Sequence, residues 1–459
     1  MQQVDTICAV ATAKGEGGIG IIRISGNNAQ LVAAKVFRAA SGKDLAEYKS
    51  YQAVYGHIVA SDGQIVDEAI ALIMRRPHSY TCEDVVELQC HGGMMPLRKT
   101  LQLTYEAGAR PAERGEFTKR AFLNGRLDLT QAQAVMDVIS AKTEKSLAMA
   151  EGHLNGHFSQ LINDLRHNIL GMIAHLEAAI DFPEDEVDEV VIDDVEKNIV
   201  AVRSQLRKLL QTVHTGRILR DGLMTAIIGK PNVGKSSLLN AMLREKRAIV
   251  TDIPGTTRDS IEEYVNIGGM PLRIIDTAGI RTTDDVVEKI GVDKSKDYIE
   301  KADLILALFD GSKPLGTEDE AIIALLKEHE ALILLNKADL ELQVSKEELE
   351  QKTALPVITL STVTEHGLDE LTKAITAKAY LGSNDGEEGY FVNDERQADI
   401  LRKTDSHLKA ALETIGSDMG LDFISIDLRS AWEKLGELTG DTVGEDIIDE
   451  IFAKFCIGK

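Results

Sequence analysis

Residues 224–245 read MTAIIGKPNVGKSSLLNAMLRE, and their order decides the fold. An aliphatic run stops at Gly229, a short polar loop follows, and an amphipathic run opens at Lys235. The loop GKPNVGKS (Gly229 to Ser236) meets the G-x-x-x-x-G-K-[ST] pattern between an expected strand and an expected helix, the context in which that pattern holds phosphate. Glycines let backbone N–H groups close around phosphate oxygens, and the start of a helix adds positive potential there. Lys235 would then reach the β- and γ-phosphates, and the Ser236 hydroxyl would bind Mg²⁺.

Working outward, residues 222–382 repeat strand, loop and helix. Aliphatic strands are expected at MTAIIG, PLRIID, ADLILALFD, ALILLN and LPVITLS, with helices such as KSSLLNAMLRE and EDEAIIALLKEH between them. Continuous aliphatic strands alternating with helices predict a mostly parallel sheet covered on both faces. The stretch EEYVNIGGMPLRIID predicts an antiparallel hairpin turning at Gly268-Gly269.

Three more segments follow in the order that GTP hydrolysis requires. PGTTRD (254–259) offers Thr257, a hydroxyl that closes on Mg²⁺ when a γ-phosphate is present. DTAG (276–279) sets Asp276 behind the metal and the Gly279 N–H near the γ-phosphate. NKAD (336–339) offers Asp339, whose carboxylate accepts two hydrogen bonds from guanine; adenine lacks that donor pair and would leave the acceptor unpaired. LPVITLST supplies a last base-contacting loop, with Ser361-Thr362 where GTPases lead one to expect Ser-Ala. One difficulty stands out. Signalling GTPases orient the attacking water with a glutamine beside the DTAG glycine, and here that residue is Ile280.

The flanks have other textures. Residues 1–118 mix β-branched runs (GIGIIRISG, VYGHIVA, EAIALIMRRP, DVVELQCHGG) with the helical stretch MMPLRKTLQLTYEAG, an α+β pattern. Residues 119–221 and 383–459 are helical in periodicity, with Leu161, Leu165, Ile169, Ile173 and Leu176 forming an apolar stripe. The two helical pieces are each short for an independent core, so the expected architecture is a P-loop α/β domain (222–382) inserted into an all-α domain (119–221 and 383–459) and preceded by an α+β domain (1–118).

Bulk properties narrow the classes. A net charge of −23 argues against a chain that coats nucleic acid indiscriminately. Residues 1–130 carry 15 Lys/Arg and 14 Asp/Glu, so an anionic partner is better tolerated there. Four cysteines (Cys8, Cys82, Cys90, Cys456) form no metal-ligand spacing and fit a reducing compartment. No basic-then-apolar leader and no run of ~18 apolar residues occurs, so a cytoplasmic location without a membrane span is expected.

With these segments read, the chain resembles the MnmE (TrmE) family of tRNA-modification GTPases. The likeness extends beyond the GTPase signature to DTICAVATAKGEGGIGIIRISG, SYTCEDVVELQCHGG, GEFTKRAFLNGRLDLTQAQAV, LEAAIDFPED and the terminal FCIGK. The resemblance implies a homodimer that works with the FAD-dependent protein MnmG on the wobble uridine (position 34) of certain tRNAs. A 5-formyl- or 5,10-methylene-tetrahydrofolate would supply one carbon, giving aminomethyl- or carboxymethylaminomethyl-uridine. It also implies an answer to the Ile280 difficulty: K⁺ held by Asn232 and by backbone oxygens of Thr251, Ile253 and Thr256, with Glu288 of VVEKIGV positioning the water. A cation there would offset developing charge where other GTPases use an arginine finger.

The GTP-contacting set so implied comprises Asn232, Val233, Gly234, Lys235, Ser236 and Ser237 in the first loop, and Thr251, Asp252, Ile253, Pro254, Gly255, Thr256 and Thr257 in the switch. Asp276, Thr277, Ala278 and Gly279, then Asn336, Lys337 and Asp339, and finally Ser361 and Thr362 complete it; Ser236 and Thr257 are the Mg²⁺ ligands. Folate binding is carried over to Arg23, Glu87, Arg126 and Lys459, a cation-and-acid set that suits a glutamate tail and a pterin edge. Cys456 is expected as a buried apolar residue on the last helix, with a role in the modification chemistry as the alternative. Two other readings remain open: a switch GTPase of ribosome assembly, and a folate-dependent one-carbon transferase with a vestigial GTPase domain. The intact Lys235, Ser236, Thr257, Asp276 and Asp339 argue against the latter.

Overall fold

The computed structural model describes residues 5–13, 15–181, 188–245, 263–275, 300, 302–380, 390–417 and 420–459. The chain divides into two compact units. One holds the chain up to Met136 with Phe158–Asn163 and Glu433–Lys459; the other holds Asp137–His157 and Asp164–Trp432.

The first unit is built on strands β1 (Ile7–Val10), β2 (Gly17–Ser25), β3 (Phe37–Ala39), β4 (Gln52–Val59), β5 (Ile65–Met74), β6 (Val85–Gly92) and β7 (Arg110–Pro111). They form one sheet in the order β3-β4-β5-β6-β2-β1-β7, antiparallel except where β7 joins β1. Period-2 alternation buries Ile22 and Ile24 of β2 and Val86, Leu88 and Cys90 of β6 under helices Ala29–Val36 and Met94–Glu106. The other parity therefore carries Arg23 on β2 and Glu87 on β6 to the opposite face, and the register sets these two residues side by side.

The C-terminal helix Glu445–Ala453 packs Ile448, Ile451 and Phe452 on Leu129 and Ala132, and Phe455 joins them. Beyond it the chain returns to the sheet. Ile457 bridges Arg114, and Gly458 runs so close to β1 that an added Cβ would meet the Val10 carbonyl at 2.2 Å. The expected junction at 118/119 falls inside helix Glu116–Leu123, which opens after Gly115 in left-handed backbone (φ 66°).

The second unit holds β8 (Leu223–Ile228), β9 (Glu263–Ile267), β10 (Met270–Ile274), β11 (Leu304–Asp310), β12 (Ala331–Asn336) and β13 (Val357–Thr359). Their order is β13-β12-β11-β8-β10-β9, parallel except for the β9–β10 hairpin, which turns at Gly268-Gly269 as the sequence predicts. Every residue of β11 and of β12 is buried, because hydrophobic clusters lie on both faces of the sheet. Met149, from helix Glu144–Leu154, joins the core on one of those faces.

In the helical part, Arg203 of helix Asp188–Gln211 makes a two-pronged ion pair with Asp405 of helix Glu395–Ile415 at 2.7 and 3.2 Å. The stripe on helix His157–Asp181 is Phe158, Ile162, Leu165, Ile169, Met172, Ile173 and Leu176. Leu161 is half-buried at its edge, so the stripe is turned by one residue at its N-terminal end relative to the expectation. Among the described residues no helix is long and apolar enough to cross a membrane.

Phe452 is 2% exposed and touches the rings of Phe122 and Phe455. Phe452→Ala is expected to destabilise the first unit by about 3–5 kcal/mol through the cavity it leaves, read by chemical denaturation. A loss below about 1 kcal/mol would show that the last helix is not part of that core.

Candidate functional site

The candidate nucleotide site lies at the carboxyl ends of the parallel strands, where open α/β sheets bind their ligands. The loop after β8 runs from Gly229 through Gly234 into helix Lys235–Glu245. Lys235 Nζ donates to the carbonyls of Gly229 (2.7 Å) and Lys230 (3.0 Å), so the loop is wound round its own lysine. Gly234 has φ +106°, and a Cβ there would lie 2.3 Å from Asn336 Nδ2. A side chain at that position would collide with the Asn336 amide, so the glycine lets this loop close against the loop after β12. Asn232 stands exposed at the lip of the loop in left-handed backbone (φ 63°), with no side-chain hydrogen bond among the described residues. Asparagine tolerates that conformation better than most residues do.

Asn336, at the end of β12, is 1% exposed. Its Nδ2 donates to the Val233 carbonyl at 2.7 Å, and its Oδ1 accepts from the Thr362 N–H at 3.2 Å. One side chain thus joins the phosphate loop to the loop after β13. The Ser361 hydroxyl donates to Asp339 Oδ1 at 2.5 Å and so orients the carboxylate expected to read guanine. Lys337 has left-handed backbone (φ 68°), and its ammonium meets Asp310 Oδ2 at 2.7 Å. Burial pushes the Asp310 carboxyl up, but hydrogen bonds from Lys337 and Ser312 outweigh it and hold the group below the usual carboxylate range. Asp310 was not among the sequence candidates, although its place at the end of an aliphatic strand is a signal that could have found it.

Val233 is fully buried and Ser237 exposed, both at the start of the helix side of this loop. Thr251, Asp252, Ile253, Pro254, Gly255, Thr256 and Thr257, like Asp276, Thr277, Ala278, Gly279, Ile280 and Glu288, lie outside the described residues.

A second cluster forms on the open face of the first unit's sheet. Arg23 Nε donates to Glu87 Oε1 at 2.8 Å, Arg23 Nη1 reaches the Gly458 carbonyl at 3.4 Å, and the guanidinium lies over the rings of Tyr80 and Phe117. Arg126 stacks on the same Tyr80 ring, 4.8 Å from its centre, and donates to the Tyr80 carbonyl at 2.9 Å. Lys459 is half-buried, and its ammonium has no hydrogen-bond partner among the described residues. Burial first, then the charge of Arg23, pushes its pKa down, while Glu87 opposes the shift. The four residues singled out from sequence therefore converge around Tyr80 and the chain's last turn. A half-buried cation without a partner, beside an Arg–Glu pair, suits an anionic ligand that also carries N–H groups. Tyr80 and Phe117 were missed, since nothing in the sequence marks a ring that lies beneath two guanidinia.

Cys456 is exposed and lies beyond the last helix, which ends at Ala453; the expectation of a buried helical cysteine is corrected. The turn through Phe455 that sends the tail to β1 leaves its thiol outside the core. Burial pushes the thiols of Cys8 and Cys90 up to about 11, which leaves neither a ready nucleophile.

The expectation that Asp339 reads guanine has a direct consequence. Asp339→Asn replaces one acceptor oxygen by a donor that opposes guanine's own N–H groups but matches the carbonyl of xanthine. GTP affinity is expected to fall at least about 100-fold while xanthosine triphosphate gains, measured by nucleotide titration. Undiminished GTP binding would remove Asp339 from the base site.

Comparisons with known proteins agree with this arrangement. A family model described as the MnmE helical domain matches residues 129–456, and one described as the GTP-binding protein TrmE N-terminus matches residues 6–126. The tRNA modification GTPase MnmE of Alkaliphilus metalliredigens is 48% identical over 457 residues, covering 99% of both chains. Its counterpart from Geobacillus kaustophilus is 48% identical over 462 residues and covers 100% of both. That of Clostridioides difficile is 47% identical over 456 residues and covers 99% of both. Among solved structures, the FeoB G-domain from Methanococcus jannaschii matches 34% of this chain and 97% of its own at 26% identity, with a TM-score of 0.26, too loose a superposition to bear on the fold. Matches that span the N-terminal sheet, the helical part and the P-loop domain together place the chain in the MnmE family of tRNA modification GTPases.

Proposed function

We propose that this GTPase is Mg²⁺-dependent and K⁺-stimulated, and that it drives folate-dependent modification at C5 of the wobble uridine, position 34, of certain tRNAs. It acts in the cytoplasm as a homodimer, together with the FAD-dependent partner MnmG. The observation that carries the hydrolytic part is the exposed Asn232 amide, held in left-handed backbone at the lip of a loop wound round Lys235. Its amide oxygen is free to turn toward a cation beside the phosphates. K⁺, when bound, supplies positive charge there. Mg²⁺, when bound, draws on the Ser236 and Thr257 hydroxyls.

The chain's own groups do the rest. Lys235 and the loop N–H groups orient the triphosphate, Asp339 and Asn336 hold the base end, and Glu288 positions the water that Ile280 cannot hold. The GTP set further includes Val233, Gly234, Ser237, Thr251 to Thr257, Asp276 to Gly279, Lys337, Ser361 and Thr362.

Support for the folate is the meeting of Arg23, Glu87, Arg126 and Lys459 at Tyr80. Support for a second copy of the chain is the open sheet face, where Tyr55 is 52%, Ile70 40% and Ile19 65% exposed. The ribosome-assembly alternative has no specific observation in its favour.

Steady-state GTP hydrolysis in KCl and in NaCl at equal ionic strength tests the hydrolytic part. K⁺ is expected to raise kcat at least about tenfold over Na⁺, and Asn232→Ala to abolish the difference; Glu288→Ala should lower kcat by about 100-fold or more with nucleotide affinity kept. Equal rates in both salts would leave the Ile280 difficulty to another solution and the K⁺ site without support.

The folate part predicts a pH dependence. A lysine with a lowered pKa loses its charge at lower pH than a free one, so affinity for a tetrahydrofolate falls as pH rises through that lowered value. Lys459→Arg should carry the decline to higher pH in a fluorescence titration. A pH-independent affinity would take Lys459 out of the site.

A further inference from the structure

Beside the Tyr80 cluster the first unit has a cleft of about 430 Å³ lined by Tyr51, His78, Tyr80, Cys82 and Arg126 among others. Three features set it apart. Tyr51 and Cys82 are both non-glycine residues in left-handed backbone, at φ 60° and 58°. Such conformations persist where the surroundings impose them and are common at ligand sites; among the described residues Asn232 and Lys337, in the candidate nucleotide site, share them, as do Ala354 at a helix end and Glu365 in a loop.

Aromatic groups are also offered to solvent here. Tyr51 is 63% exposed, His78 is exposed, and Tyr80 shows part of its ring. Charge is the third feature. Arg126 lines the cleft, and Lys49 and Arg76 flank Tyr51 and the Pro77-His78 wall in sequence; all three are exposed, and none has an ion-pair partner among the described residues. In a chain of net charge −23, the near balance of charge over residues 1–130 leaves this aromatic cleft, with Arg126 in its lining, open to an anionic partner.

Aromatic platforms interleaved with unpaired cations are what unstacked single-stranded RNA bases require: rings stack on the base while guanidinium and ammonium groups meet the phosphates. A duplex would not enter a cleft of this size, and a loop nucleotide would. We propose that this cleft receives an unstacked nucleotide of the tRNA anticodon loop, with Tyr51 and His78 stacking on the base and the neighbouring Lys49 and Arg76 meeting the backbone. The proposal rests on tRNA being the substrate and locates where that substrate touches this chain. The rival occupant is the tail of the proposed folate, since Tyr80 and Arg126 are shared with the neighbouring cluster.

The test uses the full chain and an anticodon stem-loop RNA in a fluorescence-anisotropy titration, with Tyr51→Ala and the double variant Lys49→Ala/Arg76→Ala. Tyr51→Ala should weaken RNA binding about tenfold or more, because one stacked base is removed. The double variant should weaken binding and flatten its salt dependence. GTP hydrolysis and tetrahydrofolate binding should stay at wild-type values in both. RNA affinities within about twofold of wild type, or no measurable binding of the stem-loop by the wild-type chain, would overturn the proposal. Folate binding lost in Tyr51→Ala with RNA binding intact would assign the cleft to the folate instead.

Wobble-uridine modification in cells lacking the chain separates this from the broader reading. If that reading fails, wild-type protein does not restore modification; if only the cleft proposal fails, Tyr51→Ala restores it as well as wild type does.

Discussion

The side chain of Asn336 holds the nucleotide site together. Its amide gives one hydrogen bond to the phosphate loop and takes one from the loop after β13, at a position with 1% exposure. Buried amides of this kind are costly to leave unpaired, so the three loops keep a fixed spacing even though each is irregular by itself. Gly234 completes the constraint from the other side, because only a residue without a Cβ lets Asn336 approach so closely. The loops proposed to contact phosphate and base are therefore joined through a single side chain.

Much of this was legible in the sequence because the interactions are local. The strands of the parallel sheet read as unbroken aliphatic runs since both of their faces are covered, and ALILLN and ADLILALFD lie where those runs are. The phosphate loop is a short motif whose chemistry depends on neighbours a few residues apart. The Gly268-Gly269 turn declared itself for the same reason.

What escaped the reading depends on distance along the chain. The Arg23–Glu87 pair spans 64 positions and follows from strand register, which no periodicity reveals. Met149 lies on an ordinary amphipathic helix, and its stripe does not say that the surface it covers is the core of the P-loop sheet. Cys456 was misread because a residue just past a helix end looks, in sequence, like one more turn of that helix. Tyr80 and Phe117 have no sequence signature at all; their importance lies in what settles on them.

The return of the C-terminal segment to β1 has a temporal consequence. Arg23 is made 435 residues before Gly458, yet the carbonyl it reaches belongs to that glycine and the cation beside it is Lys459. During synthesis the N-terminal sheet can form while this corner stays open, and it closes only after the P-loop domain and both helical parts have left the ribosome. A variant ended just before Gly458 would keep the strands of the sheet and the P-loop but lose the carbonyl and the cation that meet Arg23.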